Sequence, residues 1–154
     1  ANAIEALEDR RRRGLIETPA ERFVELTVDA HQRVRANAVR AGLVSLEGKP
    51  SRASRKACET ALRSMLGDER APHRVSGLWV ASRVLRRGPE LSLGDRWTDL
   101  AAIIADMARH DADAAARGRA TACLGSLEAE ARQRWQRGAT ERDARSKRQK
   151  GAVA

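Results

Sequence analysis

An aspartate followed six residues later by an arginine recurs three times along the chain, as Asp29/Arg35, Asp68/Arg74 and Asp111/Arg117. Each pair opens a stretch with small and apolar residues at helical spacing: DAHQRVRANAVRAGLVSL from Asp29, DERAPHRVSGLWVASRVL from Asp68 and DADAAARGRATACLGSL from Asp111. The arginines are separated by 39 and then 43 residues. A period of that length belongs to helical pairs stacked side by side, in which no single pair buries its apolar face alone. The repeat therefore constrains the fold before any composition is considered.

Composition agrees with helices. Ala, Leu and Arg are abundant and aromatic residues make up only 3% of the 154 residues. All three are good helix formers, and few β-branched or aromatic side chains compete with them. The layers are expected to be thin and filled by Ala and Leu. Cys58 and Cys123 lie 65 residues apart in Ala-rich patterns and read as reduced, half-buried apolar residues of a reducing, cytoplasmic compartment. No apolar run approaches the roughly 18 residues of a membrane helix, so membrane insertion is not expected.

Along the chain, residues 1–9 read as the end of an earlier repeat, because Ala1–Ala6 matches Ala36–Ala41 in pattern. The chain is thus expected to be part of a longer protein. Arg10–Arg13 and Gly14 suit a helix C-terminus. Thr18, Pro19 and Glu21 form a capping box for a helix over about 19–28. Phe23, Val24 and Leu26 face inward there. The spacing predicts further helices over about 34–46, 52–66, 73–87, 95–109 and 114–135, with stops at Gly48-Lys49-Pro50 and Gly88-Pro89 and a loop over Leu91–Gly94. The repeats are 19–46, 51–87 and 95–135 within a unit spanning 1–135. Residues 136–154 carry six basic residues against two acidic ones and one apolar residue larger than Ala. They read as a mobile basic tail.

The Asp-x5-Arg pairs, with Val-Arg-Ala-Asn-Ala at 34–38 as the cleanest copy, resemble HEAT repeats of the short, Ala-rich bacterial type. The resemblance covers about residues 1–130. It implies an all-α, right-handed α-solenoid of about three antiparallel helix pairs preceded by half a repeat. It also implies that Asp29, Asp68 and Asp111 form a structural ladder with Arg35, Arg74 and Arg117 between neighbouring repeats. Two departures stand out: Gly42 replaces the usual Leu, and Val precedes the ladder Arg only at Arg35.

Such arrays work by surface, and the resemblance places the second helix of each pair on one concave face. Five residues after each ladder Arg come Arg40, Trp79 and Ala122; nine after come Val44, Arg83 and Ser126. Trp79, Arg83 and Arg86 make a stripe at i, i+4, i+7, with Arg40 one repeat away. The stripe suits a partner, or an internal cation–π contact in which Trp79 covers a gap between layers. Trp97 and Trp135 read as packing plugs.

The three histidines, His31, His73 and His110, fall one per turn. Adjacent repeats lie on the order of 10 Å apart, too far for turns of different repeats to converge on one metal. No nucleophile–base pair, carboxylate pair or glycine-rich phosphate loop is present, so neither a cofactor nor catalysis is expected.

The net charge of +9 leaves two readings, solvated surface charge or a polyanion-binding surface. Two functions follow. One is a non-catalytic scaffold module that binds a protein, or another domain of its parent chain. The other is nucleic-acid binding through the Arg-rich face and Arg137, Arg142, Arg145, Lys147, Arg148 and Lys150. A DNA glycosylase of the HEAT-like type is a distant third, because no carboxylate is placed beside Trp79.

Overall fold

The computed structural model describes residues 13, 20–44, 51–86 and 95–128, with the side chains of 20–22 and 95–98 outside the description. Among these residues all regular structure is helical. Helix α1 is Ala20–Glu25 and continues as a 3-10 turn over Leu26–Val28. Then come α2 (Gln32–Val44), α3 (Arg52–Leu66), α4 (Ala71–Arg86) and α5 (Asp95–His110). Residues 114–128 form the last described helix, α6. The stops at 48–50 and 88–89, the loop at 91–94, the segments 1–9, 10–12, 14–19 and 129–154, and the Trp97 side chain lie outside the described residues.

Several boundaries have a local cause. Thr27 Oγ1 donates to the Val24 carbonyl at 2.7 Å, and the Asp29 amide returns to Leu26, closing the tightened last turn. Ser51 caps α3, its hydroxyl accepting the Ser54 amide at 3.1 Å, and the helix ends at Gly67, whose amide reaches the Arg63 carbonyl. Helix α4 begins two residues earlier than its spacing suggests. Pro72 sits inside its first turn, where a missing amide costs nothing. Asp113 caps α6 through the Ala116 amide at 2.9 Å.

Helix α2 lies against α3 and also against α4, two helices on; α3 packs on α4, and α1 on both α2 and α3. One large core runs through α2 to α6, with Val39, Cys58, Met65, Leu78, Val80, Ala81 and Ile104 fully buried. A smaller one joins Phe23 to Ala38 and Ala41. Helices α2 and α4 are therefore buried on more than one side, whereas α6 is not. Thr121 and Glu128 stand where α4 has buried Leu78 and Leu85, and both are exposed. Helix α3 turns Cys58, Leu62, Met65 and Leu66 inward as its spacing predicts, while Ala57 and Ala61 are only half-buried.

Two glycines permit close helix contacts. A β-carbon at Gly42 would collide with the Sγ of Cys58 across the α2–α3 contact. One at Gly77 would stand 3.1 Å from Met65 Cβ and 3.2 Å from Leu66 Cδ2. The departure at Gly42 thus has a packing cause: the thiol of α3 occupies the space a side chain would fill. Because Cys58 is fully buried, it has little room to yield. Gly42→Ala should lower unfolding stability by about 1–3 kcal/mol. Cys58→Ala should relieve most of that loss, so urea denaturation of both single variants and the double variant should show strong favourable coupling.

Candidate interaction surface

The three Asp-x5-Arg turns repeat one local geometry. In each, the Asp carboxylate accepts the amide two residues on: His31 at 2.7 Å, Arg70 at 2.9 Å and Asp113 at 2.9 Å. In each, the later Arg returns its guanidinium to the backbone carbonyl of that same Asp, Arg35 at 2.8 Å, Arg74 at 2.8 Å and Arg117 at 2.6 Å. Arg74 and Arg117 also reach the next carbonyl, of Glu69 and Ala112. A planar guanidinium presents several N–H groups in fixed directions, which a lysine does not. The motif is therefore a clasp that closes its own turn.

Between turns the geometry differs. Arg74 spans 37 residues to grip Asp111 with two parallel bonds, at 2.8 and 2.7 Å, and the Asp111 side chain is only 4% exposed. This grip holds the Asp111 carboxyl below the usual carboxylate range. The corresponding pair, Arg35 with Asp68, does not form. Asp68 is instead taken locally by Arg70, whose Nε and Nη2 stand 3.0 Å from its two oxygens. Arg70 keeps the Asp68 carboxyl far below its ordinary value. Asp68 is thus engaged within its own turn, while Arg35 gives its Nε and Nη2 to the Asp29 carbonyl.

The capture of Asp68 leaves His73 beside it. His73 is not in a turn but in the first turn of α4, buried, with Nδ1 3.4 Å from Asp68 Oδ2 in a geometry that makes no hydrogen bond. His31 lies in its turn and His110 at the last position of α5, both exposed. Among the described residues no three His, Cys, Asp or Glu side chains converge as metal ligands. Cys58 and Cys123 are free and fully rather than half-buried. Burial, with Glu59 adding to it, pushes the Cys58 thiol up to about 11 and raises Cys123 likewise, so neither is an activated nucleophile.

The stripe on α4 is built around Trp79. Its ring is half-buried and packs on the main core. The Arg83 guanidinium lies 4.1 Å from the ring centroid and that of Arg40, from α2, lies 5.7 Å away. Arg83 Nη1 is 3.5 Å from the Trp79 carbonyl, and Arg86 Nε donates to Ser82 at 3.1 Å. The positions five and nine after the ladder Arg are thus half-buried in α2 and α4 and open only at Ala122 and Ser126 of α6. Arg40 and Trp79, each five residues after the arginine of an Asp-x5-Arg pair, are neighbours in space. The basic residues Arg137, Arg142, Arg145, Lys147, Arg148 and Lys150, and Trp135, lie outside the described residues. Comparison with known protein families, with curated proteins and with solved structures finds no match.

Burial is the largest influence on His73 and lowers its pKa below the ordinary 6.5, with Arg70, Arg35 and His31 also opposing its proton and Asp68 favouring it. The unfolded chain therefore binds the proton more readily. The neutral form's contribution is whole above 6.5 and is lost as pH falls through that value toward the lower folded one. The carboxyls of Asp68 and Asp111 titrate below the ordinary Asp value of 3.8 and do not interfere. Urea midpoints should fall between about pH 7.5 and about pH 5, and His73→Gln should flatten that slope whatever its effect at neutral pH.

Proposed function

We propose that the chain is a non-catalytic HEAT-type scaffold module that binds an acidic protein surface through Arg40, Trp79, Arg83 and Arg86. In this reading the helices pair as α1/α2, α3/α4 and α5/α6 in a right-handed solenoid. The threefold clasp, the Arg74–Asp111 bridge and the meeting of Arg40 with Trp79 at matched positions support the pairing. No helix among the described residues is long and apolar enough to cross a membrane; we place the module in the cytoplasm on its reduced thiols.

One observation carries the partner: the guanidiniums of Arg40 and Arg83 are held against a single half-buried indole. A ring restricts the arginines' rotation, so less conformational entropy is lost when they meet a carboxylate. The same stacking argues against the nucleic-acid reading in one respect. Arg83 lies on the ring at stacking distance, where a base would otherwise stack.

Affinity capture with the full chain and with a Trp79→Ala/Arg83→Glu variant tests this. A protein partner recovered with the wild type should be lost with the variant while the variant's thermal transition remains cooperative. Binding of a short DNA duplex at physiological salt, weakening steeply as salt rises, would instead assign the surface to nucleic acid.

A further inference from the structure

A second surface lies away from Trp79, where the 3-10 turn after α1 faces α3. It is an open groove of about 750 Å³, within the range that holds a ligand or several side chains. Its floor includes Ala53, Ala57 and Ala61, one face of α3 at successive turns, which is about 12 Å of helix. A row of that length suits a short extended segment better than a compact molecule. Val28 forms its rim and is 79% exposed, the exposed large apolar side chain among the described residues.

The charge on the described lining residues of the groove has one sign. Arg35 and Lys56 line it, and no carboxylate does among its described lining residues. Arg35 is the ladder arginine whose cross-repeat partner, Asp68, is held by Arg70. It gives Nε and Nη2 to the Asp29 carbonyl and reaches no carboxylate among the described residues, unlike Arg74, which is saturated by Asp111. The bridge missing between the first two turns therefore leaves a guanidinium beside an exposed apolar rim.

We propose that this groove docks an acidic, aliphatic peptide segment of a partner protein. Its apolar side chains lie on Val28 and the row of alanines, and its carboxylate meets Arg35 and Lys56. The proposal goes beyond the Trp79 reading and does not depend on it, since α2 and α4 build that face and the 3-10 turn and α3 build most of this one.

The test is selection from a displayed library of random peptides on the full chain, followed by fluorescence titration of synthetic copies. The enriched peptides should combine Asp or Glu with Leu, Ile, Val or Met. Lys56→Glu and Val28→Asp, both at exposed positions, should each weaken them about tenfold or more, with unchanged thermal unfolding. Trp79→Ala should leave them unaffected. Failure to enrich any peptide, enrichment without acidic residues, or equal binding to Lys56→Glu and Val28→Asp would overturn the proposal. Peptides lost only with Trp79→Ala would belong to the other face. Concentration-dependent dimerisation abolished by Val28→Asp would give the groove to a second copy of the chain and likewise overturn it.

Discussion

The structure depends on a guanidinium reaching back six residues to the carbonyl at the head of its own turn. A tight turn between helices leaves carbonyls and amides without helical partners. Here the Asp side chain takes an amide and the Arg side chain takes a carbonyl, at Asp29/Arg35, Asp68/Arg74 and Asp111/Arg117 alike. With the turn closed from both sides, the following helix leaves it in a set direction. The small residues Ala36, Gly42, Gly77 and Ala120 can then be brought against neighbouring helices. Close packing follows from the clasp, because helices this thin tolerate little error in position.

The junctions between turns are unequal. Arg74 and Asp111 form a bidentate pair shielded from water, where each group's hydrogen bonding offsets its desolvation. At the first junction Arg70 holds Asp68 and leaves Arg35 and the buried His73 with less. Arg70 is itself exposed, so its bond is locally strong and globally of little consequence. The region around the first junction is the one with a buried imidazole, a cationic groove and an exposed valine, while at the second the Arg74–Asp111 pair is shielded from water.

Much of this was legible in the residues. The Asp-x5-Arg recurrence was visible, although it suggested a ladder between repeats rather than a clasp within each turn. The α3 span was visible as 52–66, and Trp79, Arg83 and Arg86 as a helical stripe with Arg40 one repeat away. What escaped was competition between neighbours. Asp68-Glu69-Arg70 contains the rival for the Asp68 carboxylate, yet spacing alone does not rank Arg70 against Arg35. Gly42 looked like a defect because its reason, the Cys58 thiol, sits on another helix. His73 was read as a turn residue because α4 begins earlier than its apolar period. The cationic groove needed three dimensions, since Val28, Arg35 and Lys56 share no periodic pattern.

One junction is bridged by charge across the helices and the other is not. A double-mutant cycle on Arg74→Ala with Asp111→Ala, and a second on Arg35→Ala with Asp68→Ala, measures this directly by denaturant unfolding. Clear favourable coupling is expected in the first cycle and near-additivity in the second. Equal coupling in both, or additivity in the first, would contradict that difference.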